Sequence, residues 1–309
     1  MSRVYEALAK ATEEKRRPID SSIVENTSLG WGHIKVEPNL PASLYSDGRQ
    51  ISSRNVHSGA IDKTKSWRER IEELFFGWDL GRYQNYPIVS LDKDSAAAGQ
   101  YKILREQIKR LRIDRRVDTF SITSPVKRDG KTTVAVNLAA VLALDYEEQV
   151  LLIDGDLRAP AVHRYFDAPL SPGLGDYLSS GSTLGVKGLV RETFLPGLRI
   201  LPAGKPSHLS SELLAKEKMK QLLEEARSEF PGYQIIIDSP PILSTPDPIV
   251  ISRLVDGVLL VIRAGQTPRD YLDKALQSIN STKIMGIVLN GANLGISSKY
   301  YYYTADGPY

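Results

Sequence analysis

Between residues 119 and 289 apolar residues come in short unbroken runs, separated by stretches in which they recur every three or four positions. Runs such as VLLID at 150–154 and IIID at 235–238 do not alternate, which is what strands buried on both faces require. The pattern predicts strands at 119–123, 150–154, 199–201, 235–238, 257–262 and 285–289. Helical spacing at 131–144, 219–230, 248–254 and 269–279 lies between them. Strand–helix alternation of this kind predicts an α/β fold, a doubly wound and mostly parallel sheet with helices on both faces.

The first 97 residues are patterned differently. Val4, Leu8 and Ala11 mark a helix over 2–17, and a Pro/Ser/Asn/Gly-rich stretch over 18–63 shows no sustained period, which predicts a mobile linker. Trp67, Ile71, Phe75 and Trp78 then place one apolar face on a helix over 66–80. Such a face is expected to dock on the following domain or on a membrane-associated partner. The expected organisation is an N-terminal arm (1–97), partly disordered, a catalytic domain (98–296) and a tail (297–309).

Composition narrows the chemistry. With no cysteine and four scattered histidines, thiolate chemistry and histidine-built metal sites are not expected. Lys plus Arg is 40 against Asp plus Glu 37, too balanced for bulk nucleic-acid binding, and no nucleic-acid partner is expected. No apolar run approaches the ~20 residues that span a bilayer, so a cytoplasmic protein is expected. Five of the 15 tyrosines fall in the last ten residues, a concentration that does not serve folding on a chain end.

The stretch SPVKRDGKTT at 124–133 follows the first predicted domain strand and opens a helix, the setting of a phosphate-binding loop. Asp129, Gly130, Lys131, Thr132 and Thr133 are its candidate nucleotide-binding residues. Lys131 would reach the β and γ phosphates, and the Thr132 hydroxyl would ligate Mg²⁺. The first glycine of the strict pattern is Pro125 here. As part of an exposed loop, Lys131 is expected to matter for chemistry and little for stability. Asp154, Asp156 and Asp238 end two buried strands, and parallel sheets bind ligands at such ends. Each alone could be a helix cap; three beside the loop point to Mg²⁺ binding and proton transfer.

Together the phosphate loop, LLIDGDLR at 151–158, IIIDSPP at 235–241 and the tyrosine tail resemble the bacterial tyrosine kinases of capsule and exopolysaccharide synthesis. Lesser matches include GLGDYL at 173–178, SELL at 211–214 and the opening SRVYEALAK. The resemblance implies a P-loop NTPase fold of the MinD/ParA kind and a kinase using ATP and Mg²⁺. It implies that Tyr300, Tyr301, Tyr302, Tyr303 and Tyr309 accept phosphate from neighbouring subunits. Lys131, Asp154, Asp156 and Asp238 would be catalytic, with Asp154 taking the tyrosine proton and Thr132, Asp156 and Asp238 holding Mg²⁺. A membrane polysaccharide co-polymerase would be the activator and would hold the protein at the inner membrane face. Self-association and a cognate tyrosine phosphatase complete the expected partners.

This sequence also departs from the family. Loops there usually read PGEGK, against KRDGK at 127–131, and the ring-forming E-x-x-R-x-x-R helix keeps only Arg105, with Gly99 and Lys102 at its other positions. The basic helix around Lys102, Arg105, Lys109, Arg110 and Arg112 is either a solvated face or a subunit or membrane contact. The alternatives to a kinase are a MinD/ParA-type ATPase switch, against which Val126 stands where that class carries a lysine, and a nucleotide-binding scaffold without turnover.

Overall fold

The structure is a computed structural model that describes residues 34–36, 88–92, 95–145, 148–179, 184–215 and 217–292. The helices expected over 2–17 and 66–80 and the tyrosine tail lie outside the described residues.

Among the described residues one sheet contains β1 (Ile34–Val36), β2 (Thr119–Thr123), β3 (Val150–Asp154), β4 (Arg191–Glu192), β5 (Leu198–Leu201), β6 (Gln234–Asp238), β7 (Gly257–Arg263) and β8 (Ile284–Asn290). Their spatial order is β1-β8-β7-β2-β6-β3-β5-β4, and every pair is parallel except β4 with β5. The helices are α1 (Ala96–Arg115), α2 (Lys131–Ala143), α3 (Val162–Tyr165), α4 (Leu174–Leu178), α5 (Val186–Leu189), α6 (Ser210–Leu214), α7 (Glu217–Glu229), α8 (Asp247–Leu254) and α9 (Arg269–Ser278). The doubly wound α/β expectation is met. The strands and helices predicted between residues 119 and 289 occur within two residues of their expected ends.

Every residue of β2, β3 and β6 is buried, which is why β3 and β6 read as apolar runs; β2, TFSIT, is equally buried but carries Thr119, Ser121 and Thr123 between its apolar residues. Phe120, Ile122, Leu152 and Ile236 pack on one face against Val134, Leu138 and Val141 of α2 and Tyr101, Leu104 and Ile108 of α1. All ten residues from Val134 to Ala143 are buried, so α2 is apolar around its whole circumference rather than along one stripe. Its one buried polar residue, Asn137, is satisfied: its Oδ1 accepts from the Ser90 amide (2.9 Å) and its Nδ2 donates to the Thr133 carbonyl (2.9 Å).

The structure adds short features that the sequence pattern does not carry. β1 lies inside the expected linker and pairs with the edge of β8; three residues are too few to show a period. Among the described residues Ile88 already joins the core, ten residues before the expected boundary at 98. The four- and five-residue helices α3 to α6 are likewise too short to carry a helical repeat.

Much of the basic face of α1 is spent within the chain. Lys109 pairs with Asp145 (2.7 Å), Arg112 with Asp118 (3.0 Å) and with Glu148, and Arg105 with Glu106 (2.7 Å). Lys102 and Arg110 remain exposed.

Candidate active site

Parallel packing brings the C-terminal ends of β2, β6 and β3 side by side, with Ile122 opposite Asp238 and Asp238 opposite Asp154. The register alone therefore places the phosphate loop and the strand-end aspartates on one edge of the sheet, where open α/β sheets bind ligands. Gly155 is required by this closeness. A Cβ there would meet the Asp238 carbonyl oxygen at 2.8 Å and the Ile237 side chain at 2.9 Å.

After β2 the chain does not turn at once. Ile242 donates its N–H to the Ser124 carbonyl (2.9 Å) and Leu243 to that of Pro125 (3.2 Å), so the segment after β6 extends the pairing beyond the strand ends. Pro125 lacks an N–H but supplies the carbonyl this ladder uses, which accommodates proline where the strict motif has glycine.

The loop closes on Asp129, which is buried. Its Oδ2 accepts from the Val126 amide (3.2 Å) and its Oδ1 from the Thr267 hydroxyl (2.8 Å). Burial raises its pKa, against the pull of these bonds and of Arg263. The Asp129 carbonyl accepts from Asn290 Nδ2 (2.8 Å), and the Arg128 carbonyl from Arg263 Nη1 (3.1 Å). Both Asp129 carboxylate oxygens thus brace the loop through which it is expected to bind nucleotide. Thr267, Arg263 and Asn290 were missed, because they follow or end β7 and β8, far from the loop in sequence. The one available signal was a polar Asn closing the apolar run IMGIVLN.

Gly130 adopts φ 94°, and a Cβ on it would lie 1.9 Å from Asn290 Nδ2. Gly130→Ala is therefore expected to force Asn290 off the Asp129 carbonyl and to add left-handed strain of about 1–2 kcal/mol. Thermal unfolding should show a loss of several degrees.

Lys131 opens α2, whose first N–H groups have no acceptor within the helix. Its Nζ donates to Asp156 Oδ2 (3.0 Å) and Thr132 Oγ1 (3.1 Å) and lies 3.8 Å from Asp238 Oδ1. The expectation of an exposed lysine is corrected: its side chain is only 14% exposed. Burial pulls its pKa down, but the charges of Asp238 and Asp156 outweigh burial and leave it raised.

The Thr132 hydroxyl donates to Asp238 Oδ2 (2.6 Å), whereas Asp238 Oδ1 is buried without a hydrogen-bond partner. Asp154 is fully buried. Its Oδ2 accepts from the Ala161 (3.0 Å) and Val162 (3.1 Å) amides and its Oδ1 from that of Asp156 (3.2 Å). Burial raises both of these carboxyls above the usual carboxylate range, helped at Asp154 by repulsion from Asp238 and at Asp238 by repulsion from Asp156. Thr133 Oγ1 is 3.2 Å from the Tyr165 hydroxyl.

Arg158, closing the LLIDGDLR run, lies 3.6 Å from the buried Asp247 at the start of α8, which also accepts hydrogen bonds from Ser210 (2.7 Å) and Ser211. This network, also missed from sequence, ties the loop after β3 to α6 and α8.

The group fits Mg²⁺. The Thr132 hydroxyl and the Asp156 and Asp238 carboxylates, with Asp238 Oδ1 buried and unpartnered, form a hard oxygen set, and Mg²⁺ takes one or two carboxylates with substrate phosphates. No cluster of three or more His, Cys, Asp or Glu suited to a metal occurs among the described residues, so such an ion would depend on Thr132 and on phosphate.

No protein-family model matches the chain. It is 34% identical over 224 residues to the tyrosine-protein kinase YwqD of Bacillus subtilis, covering 72% of this chain and 92% of that protein. It is 30% identical over 265 residues to the tyrosine-protein kinase etk of Escherichia coli, 85% of this chain but 36% of that protein's length. The solved kinase domain of the Escherichia coli tyrosine kinase ETK superposes with a TM-score of 0.62 at 27% identity, covering 75% of this chain and 95% of that domain.

Proposed function

The chain belongs to the bacterial tyrosine-protein kinases, and we propose that it transfers the γ-phosphoryl group of ATP to Tyr300–Tyr303 and Tyr309 of neighbouring copies, regulating capsule or exopolysaccharide synthesis. The observation that carries this reading is the convergence of Lys131, Thr132, Asp156 and Asp238 at the strand ends beside a braced phosphate loop.

In this mechanism Lys131 exchanges Asp156 for the phosphates and neutralises charge on the transferring group. Thr132, Asp156 and Asp238 would hold Mg²⁺, which would supply further neutralisation of phosphate charge. The tyrosine oxygen bonds to phosphorus as the β–γ bridging bond breaks, and its proton passes to Asp154. A carboxylate offers about four lone-pair sites. Backbone amides use three of those on Asp154, so one is left for the proton. Its raised pKa suits that task.

An ATPase switch without a phosphoacceptor is not favoured, since position 126 is a valine whose amide is held by Asp129. No helix among the described residues is long and apolar enough to cross a membrane. A membrane polysaccharide co-polymerase is the partner through which the protein would act at the membrane, and a cognate phosphatase would reset the tail.

Mixing a Lys131→Met protein that keeps its tail with an active protein lacking residues 300–309 tests transfer between copies. Phosphotyrosine on the Lys131→Met chain is expected, at a rate that rises with protein concentration. Labelling confined to chains carrying both an intact Lys131 and their own tail would sink the proposal.

A further inference from the structure

Arg128 adopts φ 70°, in the left-handed region where a side chain is strained and glycine is not. Nothing in its surroundings lets it relax. Its carbonyl is held by Arg263 Nη1 at 3.1 Å, and the next residue is fixed by Val126, Thr267 and Asn290. The brace sets the backbone and the residue at 128 must accept it. With Gly130 at φ 94°, positive φ falls on alternate residues, the backbone alternation of an anion-binding nest.

A glycine at 128 would hold that backbone without strain. This chain instead carries an arginine whose side chain is exposed on the loop. Of the other loop cations, Lys127 is exposed and Lys131 is already shared between Asp156 and Asp238, so the Lys131 charge is partly spent before any phosphate arrives. A second cation next to the nest supplies what Lys131 lacks, and a guanidinium can bind two phosphate oxygens at once.

We propose that Arg128 is a phosphate ligand, its guanidinium binding the nucleotide phosphates held by the loop, and that its backbone strain is retained for this contact. The proposal rests on the reading of 124–133 as a nucleotide-binding loop, and the test separates the two.

Purified full-length protein and the variants Arg128→Gly, Arg128→Ala and Arg128→Lys are titrated with a fluorescent ADP analogue at low and high KCl. Thermal unfolding is followed without nucleotide. Arg128→Gly is expected to unfold at the same or a higher temperature, because the strain is removed, yet to bind the analogue roughly tenfold more weakly, the loss of one charge-assisted hydrogen bond. Arg128→Ala keeps the strain and loses the charge, so its affinity should fall equally with no gain in stability. Arg128→Lys should recover part of the affinity, and the Gly and Ala variants should show a shallower salt dependence than the parent. Parent-like affinity in Arg128→Gly overturns the proposal, as does a loss in Arg128→Ala that Arg128→Gly does not share, since loop shape would then be the cause. If the parent protein itself binds no nucleotide, the phosphate-loop reading fails and this proposal with it.

Discussion

Lys131→Met is expected to lower tyrosine autophosphorylation by at least about 100-fold, the scale of losing one preorganised transition-state charge, and also to destabilise the protein. The second effect follows from the structure alone. The Lys131 ammonium is 3.0 Å from Asp156 and 3.8 Å from Asp238, with little solvent access. Removing one partner of a buried pair costs about 3–5 kcal/mol when the remaining charge stays ionised. Protonation offers a way out. Burial raises the Asp154 and Asp238 carboxyls, while Lys131 lowers them. A carboxyl raised on folding stabilises the fold fully below its unfolded pKa and loses that contribution as pH rises through the folded value. Without Lys131 the carboxyls rise further and the loss at high pH deepens. In nucleotide- and Mg²⁺-free buffer the unfolding-temperature gap between parent and variant should be small near pH 5 and largest near pH 8. A gap independent of pH would show that the cluster does not depend on Lys131, and near-normal phosphorylation in the folded variant would remove the loop lysine from the chemistry.

Asp154→Asn and Asp156→Asn should both slow phosphoryl transfer by about 10²–10⁴-fold, the range for a positioned acid–base group, but for different reasons. Asp156 accepts from Lys131 Nζ and from the Ala159 amide (3.0 Å). As a Mg²⁺ ligand its loss should be partly rescued by raised Mg²⁺. Asp154 touches no cation within hydrogen-bonding distance. Its asparagine variant should retain Mg-nucleotide binding, measured by fluorescent-ADP titration, while transfer stays slow at every Mg²⁺ concentration. The bonds from Asp154 to the 156, 161 and 162 amides supply the competing outcome. An amide placed there can unseat the loop that carries Asp156. If Asp154→Asn loses Mg-nucleotide binding to the same degree as Asp156→Asn, Asp154 is an anchor for that loop and not the proton acceptor.

The strand ends were legible because β3 and β6 are buried on both faces and spell themselves as apolar runs that stop at a polar residue. Asp154 and Asp238 are those stops, and parallel pairing needs nothing further to set them side by side. Lys131 was legible as part of the loop, but its burial was not. A lysine at a helix start is ordinarily solvated, and this one is enclosed by the carboxylates of Asp156 and Asp238, 25 and 107 residues downstream.

The sequence by itself determined the α/β class, the order of the main elements, the position of the phosphate loop and the aspartates that meet it. These rest on local signals: runs of buried residues, helical spacing and a Gly-Lys-Thr turn between a strand and a helix. Only the tertiary structure decided what holds the loop in shape. Asn290, Arg263 and Thr267 reach it from the ends of β7 and β8, which become neighbours of the loop because β7 pairs with β2 and β8 with β7. Their hydrogen bonds hold Arg128 in a left-handed backbone and set the Asp129 carboxylate as a brace of the loop. Neither outcome can be read from KRDG, because a residue's φ and the partner of its carboxylate are set by what packs against it.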